Sequence, residues 1–115
     1  MPTSILIVED DAQVARVLQK FFAGDEFSVQ VATNANTALA MAVAAPPDVV
    51  ICDQHLEDSP PGLWLLDQLR DRSMLVGMIL LTGDASIPPR ESLRSGVVAY
   101  LVKPAPREQV MEGVQ

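Results

Sequence analysis

Cysteine and histidine are almost absent from this 115-residue sequence, which contains one residue of each. The single cysteine, Cys52, excludes an internal disulfide, and one cysteine with one histidine cannot form a zinc finger. Long apolar runs are also missing, because none approaches the roughly 20 residues that a transmembrane helix needs. The first four residues are too few and too uncharged to begin a signal peptide. We therefore expect a cytoplasmic domain.

Positive charge is scarce as well. Lysine and arginine total 8 against 15 aspartates and glutamates, and the formal net charge is −7. Such a surface repels phosphate backbones and anionic lipid, so we do not expect this domain to bind nucleic acid or a membrane directly. Apolar residues make up 49% of the chain, as in globular proteins, and the length predicts one domain over residues 1–115.

Five short apolar runs alternate with segments of helical periodicity. The predicted strands are residues 4–8, 27–32, 49–52, 77–81 and 97–102. The predicted helices are residues 12–22, one running through 37–42 with Thr33 or Asn34 as its cap, 63–72, a short one after Pro88 and Pro89, and 106–115. This alternation predicts an α/β fold, a doubly wound parallel sheet with helices on both faces. The short last helix is consistent with a domain excised from a longer chain.

Polar side chains follow the ends of four of these strands. Glu9 and Asp10 follow the first strand, Asp53 the third, Thr82 the fourth and Lys103 the fifth. Open parallel sheets bind ligands beyond the carboxyl ends of their strands, so we expect these side chains to converge. Neighbouring carboxylates need a compensating cation, and hard oxygen ligands at an open cleft suit Mg²⁺. An aspartate flanked by Mg²⁺, an ammonium and a hydroxyl is equipped to attack phosphorus.

Four motifs at these strand ends resemble those of a known family. They are ILIVEDD at residues 5–11, VVICD at 49–53, ILLTG at 79–83 and AYLVKP at 99–104. In this order they are similar to the receiver domain of two-component response regulators, the CheY-like superfamily, over nearly the whole chain. The resemblance implies a three-layer, flavodoxin-like sandwich with strand order 2-1-3-4-5. It also implies a bacterial signalling module that receives a phosphoryl group from a sensor histidine kinase or a phosphotransfer protein. The module then changes conformation to control a partner or an output domain beyond Gln115.

The resemblance also implies a metal site and a phosphoryl acceptor. In that scheme Asp53 is the acceptor and a Mg²⁺ ligand, and Asp10 binds the ion directly. Glu9 acts largely through a metal-bound water, and the backbone carbonyl of His55 completes the protein's share of the ligands. Asp11, by contrast, is predicted to cap the first helix, because acidic residues favour that end of a helix.

A further set of residues is implied to read the modification. Thr82 hydrogen-bonds the phosphoryl group, Lys103 forms an ion pair with it, and Tyr100 changes rotamer together with Thr82 as a switch. The peptide bond between Lys103 and Pro104 matches one that is often cis in the family. The short fourth helix, the fifth strand and the last helix are implied to form the signalling face, through which a homodimer is also expected.

The loop after Asp53 departs from the family pattern. Many receivers have a proline four residues after the acceptor and a glycine eight residues after it. Here Glu57 takes the first place, and Gly62 comes nine residues after Asp53. This spacing predicts a loop one residue longer. The proline pair at 88–89 likewise predicts a late and short fourth helix.

Three other functions compete with this interpretation. A phosphohydrolase of the haloacid dehalogenase type needs a second aspartate where His55 stands, and a cap domain for which the chain has no room. A flavodoxin needs a phosphate loop rich in hydroxyls and glycine after the first strand, where residues 9–11 are acidic. A receiver used only for docking stays open, although the intact acidic set argues against it. In the leading interpretation the domain is not a turnover enzyme, because its only chemistry is phosphorylation and dephosphorylation at Asp53.

Overall fold

The computed structural model describes residues 2–83 and 96–114. The predicted short helix after Pro88 and Pro89, and the last residue of the predicted final helix, lie outside these described residues. The described strands are β1 (Thr3–Val8), β2 (Phe27–Ala32), β3 (Val49–Asp53), β4 (Gly77–Thr82) and β5 (Val97–Val102). The described helices are α1 (Ala12–Phe21), α2 (Ala35–Ala44), α3 (Gly62–Asp71) and α4 (Arg107–Val114).

The five strands form one parallel sheet in the order β2-β1-β3-β4-β5. This confirms the doubly wound fold and its strand order. Two strands extend one residue further than their apolar runs predict, so that Asp53 ends β3 and Thr82 ends β4. In the sheet register Asp53 lies beside Leu81, and Thr82 lies beside Val102. The two polar residues are therefore held by strand pairing rather than by loops.

The helices cover both faces of the sheet, since the apolar side chains of the described residues form two clusters. Strand residues alternate between the faces. In β1, Leu6 and Val8 join the cluster beneath α2 and α3, whereas Ile5 and Ile7 join the cluster beneath α1 and α4. All five residues of β3 are buried, as expected for a central strand covered on both sides. The result is the predicted three-layer arrangement.

Side chains before the first two helices satisfy backbone N–H groups at the helix starts. The Asp11 carboxylate accepts hydrogen bonds from the N–H groups of Gln13 and Val14, which is the predicted cap of α1. Asn34 caps α2 by accepting from the N–H of Thr37. Across the described residues, no helix combines the length and apolar character that a membrane span would require.

Candidate functional site

The sheet brings three acidic side chains together at its carboxyl edge. Glu9 and Asp10 follow β1, and Asp53 ends the neighbouring β3. One carboxylate oxygen from each of the three lies within 4.8 Å of the other two. Glu9 and Asp53 are only 2% and 6% exposed, whereas Asp10 is exposed. The cluster therefore has two buried carboxylates and one side open to solvent.

Lys103 provides the positive charge of this cluster. Its Nζ lies 2.7 Å from Asp53 Oδ2 and 2.9 Å from Glu9 Oε2. Its backbone N–H donates to the carbonyl of Thr82 at 2.7 Å, and the peptide bond to Pro104 is cis. Burial alone would lower the pKa of Lys103, but its contacts with Asp53 and Glu9 outweigh burial and raise that pKa. Lys103 is therefore an ammonium at neutral pH.

The surroundings of Glu9 disfavour its negative charge. Burial raises its pKa, and the negative charge of Asp53 acts in the same direction. The ammonium of Lys103 and the N–H of Asp11, which donates to Glu9 Oε1 at 3.2 Å, oppose this effect without cancelling it. When all of these groups are ionised, the three carboxylates and one ammonium of the described residues leave two uncompensated negative charges, which a divalent cation would balance.

Asp10 also connects two loops. Its Oδ2 accepts a hydrogen bond of 2.8 Å from the N–H of Glu57, which lies 47 residues later in the loop after β3. This bond is the main reason why the pKa of Asp10 is lowered. Asp10 therefore stays ionised and holds the loop after β3 against the cluster. Sequence reasoning missed this contact, because a backbone N–H carries no signature in the residue types.

His55 contributes its backbone to the site. Its N–H donates to Asp53 Oδ1 at 3.0 Å, and the residue is exposed. Both carboxylate oxygens of Asp53 thus have a donor, His55 on one and Lys103 on the other. Two donors of this kind orient the Asp53 carboxylate.

Thr82 and Tyr100 lie on the same face of the sheet. Thr82 is fully buried at the end of β4, and Tyr100 pairs with Leu80, two residues before Thr82. Tyr100 packs against the apolar cluster beneath α2 and α3, and its hydroxyl is buried with no hydrogen-bond partner among the described residues. A buried hydroxyl without a partner costs free energy, which favours any rearrangement that gives it one.

An apolar groove opens beside Lys103. It has a volume of about 410 Å³ and lies between α1 and the segment after β5. Its lining residues are Gln13, Val14, Val17, Leu18, Phe21, Leu81, Lys103, Pro104 and Ala105. Val17 is 50% exposed, so the apolar stripe of α1 is wider than the part that the sheet covers.

The strand order defines a flavodoxin-like fold, and three acids and a lysine lie together at the carboxyl edge of its sheet. The family model for the response regulator receiver domain matches residues 5–115. The chain therefore belongs to the response regulator receiver domain family, the phosphorylatable modules of two-component systems.

Named relatives agree with this family. The chain is 35% identical over 101 residues to the regulatory protein AtoC of Escherichia coli K12, and the matched segment covers 87% of this chain and 22% of AtoC. It is 31% identical over 109 residues to the acid tolerance regulatory protein ActR of Rhizobium meliloti 1021, covering 94% of this chain and 56% of ActR. The chain thus spans well under two thirds of either protein.

The fold also matches a solved complex from yeast. The co-crystal structure of the Saccharomyces cerevisiae phosphotransfer protein Ypd1 with the receiver domain of Ssk1 has a TM-score of 0.86 and 23% sequence identity. The match covers 98% of this chain and 86% of the other. At this identity the likeness concerns the fold alone.

Proposed function

We propose that Asp53 accepts a phosphoryl group from a histidine kinase or a histidine-containing phosphotransfer protein in a Mg²⁺-dependent reaction. The observation that carries this proposal is the setting of the Asp53 carboxylate. It has Lys103 Nζ at 2.7 Å and the N–H of His55 at 3.0 Å, and it lies in a three-carboxylate cluster open to solvent on one side.

The donor set suits Mg²⁺, because the ligands are hard carboxylate oxygens and their charge exceeds that of Lys103 by two. Asp10 and Asp53 would hold the ion directly, Glu9 through water, and His55 through its carbonyl. When bound, Mg²⁺ supplies charge neutralisation for the phosphoryl oxygens.

The protein's own groups account for the remaining steps. A carboxylate oxygen of Asp53 attacks phosphorus, so that an O–P bond forms while the P–N bond to the donor histidine breaks and its electron pair stays on the imidazole. Lys103 neutralises charge on the transferring oxygens. The N–H of His55 orients the attacking carboxylate.

The modified state is read by Thr82, Lys103 and Tyr100. A phosphoryl group adds negative charge and three acceptor oxygens at Asp53. Thr82 donates a hydrogen bond to it, Lys103 pairs with it, and Tyr100 then moves beside β4 to a position where its hydroxyl gains a partner. This biases an existing two-state equilibrium. The expected output and homodimer face comprises β5, α4 and the predicted short helix before β5.

The groove beside Lys103 suits the protein that supplies the phosphoryl group. It is apolar and includes exposed Val17. Its lining residue Lys103 contacts Asp53, the proposed phosphoryl acceptor. Val17→Glu should slow phosphorylation by any histidine kinase that uses this domain, but it should not slow phosphorylation by acetyl phosphate. Val43→Glu on α2 is the matched control, since Val43 is 51% exposed. Equal effects of the two variants would contradict docking at the groove.

We further propose that the domain works in the cytoplasm as part of a longer regulator, with an output domain after Gln115. The support for a longer regulator is that the chain spans 22% and 56% of the regulatory proteins AtoC and ActR. Its chemistry is confined to its own Asp53, so no external substrate is turned over. A receiver that docks without being phosphorylated is the remaining alternative.

Phosphorylation is tested by adding acetyl phosphate and Mg²⁺ and measuring intact mass. One labile phosphoryl adduct is expected for the wild type and for Asp11→Asn, and none for Asp53→Asn. An unchanged yield in Asp53→Asn would overturn the assignment. No adduct in the wild type would favour the docking alternative.

The relay is tested with beryllofluoride, which stands in for the phosphoryl group on Asp53. Amide chemical shifts at residues 96–106 should change strongly in the wild type and less in Thr82→Ala. Lys103→Ala should reduce them further, because it removes a charge. A full wild-type pattern in Thr82→Ala would show that the signal leaves by another face.

A further inference from the structure

Gln54, the residue directly after Asp53, is fixed by three hydrogen bonds. It is only 9% exposed. Its N–H donates to the carbonyl of Leu81 at 2.9 Å, its carbonyl accepts from the N–H of Gly62 at 3.2 Å, and its Oε1 accepts from the N–H of Leu63 at 2.9 Å. Backbone and side chain therefore both anchor this residue.

Two of these bonds supply the cap that α3 otherwise lacks. Pro61 holds the N-cap position and makes no side-chain hydrogen bond to the helix. The first N–H groups of a helix have no partner within it. Gln54 accepts from the first two, those of Gly62 and Leu63. The start of α3 is thus tied to the residue next to the acceptor.

The peptide group between Gln54 and His55 links α3 to the acceptor carboxylate. Its carbonyl accepts from Gly62, the first residue of α3, and its N–H donates to Asp53 Oδ1. Successive hydrogen bonds polarise one another, and the start of a helix favours negative charge. The orientation of this one peptide plane therefore sets the direction of a donor to Asp53.

Close packing leaves this linkage little freedom. A Cβ on Gly62 would lie 2.9 Å from Leu80 Cδ2, 3.1 Å from the carbonyl oxygen of Asp53 and 3.1 Å from Cys52 Sγ. A side chain at residue 62 would therefore require these neighbours of β3 and β4 to shift. A rotation of the Gln54 peptide would have to move the helix.

We infer that Gln54 is a positioning residue for phosphoryl transfer. It locks the peptide whose N–H orients Asp53, by using its side chain to cap α3. The inference rests on the proposed role of Asp53 as acceptor. Asp53 is also a proposed Mg²⁺ ligand, and replacing the partners that orient metal ligands typically costs about 10- to 100-fold in metal affinity or activity.

The test separates positioning from helix capping. Gln54→Met keeps the approximate length of the side chain and removes Oε1, its strong hydrogen-bond acceptor. Pro61→Ser gives α3 a cap of its own, because serine is a favoured N-cap residue and the backbone there is already extended. The two single variants, the double variant and the wild type are compared by three measurements: the urea midpoint, the His55 amide resonance without Mg²⁺, and the rate with acetyl phosphate at saturating Mg²⁺.

We expect Gln54→Met to lower the urea midpoint, to shift the His55 resonance and to slow phosphorylation about tenfold or more. Adding Pro61→Ser should restore the urea midpoint and leave the resonance and the rate impaired, and this double variant carries the test if Gln54→Met folds poorly. Pro61→Ser alone should keep the wild-type rate.

Two results would overturn the inference. The first is that Gln54→Met keeps the wild-type rate and the wild-type His55 resonance. The second is that the double variant recovers the rate and the resonance as well as the urea midpoint. Absence of phosphorylation in the wild type would instead refute the proposed function. In that case the His55 resonance of the metal-free variants would still decide whether Gln54 positions the peptide.

Discussion

Replacing Lys103 by methionine tests the electrostatic balance of the cleft. The ammonium contacts Asp53 and Glu9 at 2.7 and 2.9 Å, and the side chains of these two carboxylates are 7% and 1% exposed. Methionine retains much of the apolar stem and removes the charge. The two carboxylates are then left without their cation in a buried setting, which should destabilise the metal-free domain.

The expected loss is about 2 kcal/mol in the free energy of unfolding. Removing one partner of a fully buried ion pair costs about 3–5 kcal/mol. The value here should be smaller, because 21% of the Lys103 side chain is exposed and solvent screens the pair. Mg²⁺ should reduce the loss, since the cation takes over the compensation. If loss of the competing ammonium tightens the Mg²⁺ Kd tenfold, saturating Mg²⁺ narrows the gap by about 1.4 kcal/mol.

Urea unfolding with and without Mg²⁺ measures both effects. Lys20→Met is the matched control, because Lys20 is the only other lysine in the chain and is exposed on α1. It should change the free energy of unfolding by less than about 0.5 kcal/mol and be insensitive to Mg²⁺. Equal losses in the two variants, or a Lys103→Met loss that Mg²⁺ does not reduce, would refute the reasoning.

The pH dependence has a defined sign. The pKa of Lys103 is raised above 10.5 in the folded state. A raised pKa means that the stabilisation is fully present below pH 10.5 and is lost as the pH rises through the folded-state value. Wild type should lose this contribution in alkaline buffer, whereas Lys103→Met should not, so the two unfolding curves should converge there.

Three further predictions concern neighbouring residues. Asp10→Ala should weaken Mg²⁺ binding, measured by titration, far more than Asp11→Ala, which should instead cost about 1 kcal/mol through its lost helix cap; equal weakening would mean that ligand and cap have been confused. Ser59→Ala should cost about 1 kcal/mol in urea unfolding and speed hydrogen exchange at Ala35, because Ser59 Oγ accepts from the Ala35 N–H at 2.9 Å; unchanged exchange would count against this contact. Glu9→Gln should be at least as stable as the wild type at pH 7 without Mg²⁺, with the difference shrinking toward pH 4.5. The reason is that the pKa of Glu9 is raised above 4.5 in the folded state. The contribution of Glu9 to the free energy of unfolding is therefore fully present below pH 4.5 and is lost as the pH rises through the folded-state pKa. A stability difference independent of pH would contradict this.

Much of the fold could be predicted from residue order, because it depends on patterns that repeat along the chain. Short apolar runs and segments with a helical period of 3.6 predict five strand–helix pairs, and this alternation leads to a parallel sheet. The convergence of Glu9, Asp53 and Lys103 follows from the rule that parallel strands share one carboxyl edge. The apolar pattern stopped one residue short in β3 and β4, because Asp53 and Thr82 are polar although strand pairing includes them.

Tertiary structure alone decided which partners these residues have. The bonds from Asp10 to the N–H of Glu57, and from Gln54 to the start of α3, join groups 47 and 9 residues apart in the sequence. Their donors are backbone N–H groups, which are alike at every position except proline, so the residue types carry no signal for them. Likewise, half of Val17 stays exposed although it belongs to the apolar stripe of α1, because packing decides how much of that stripe is covered and a helical period does not encode packing.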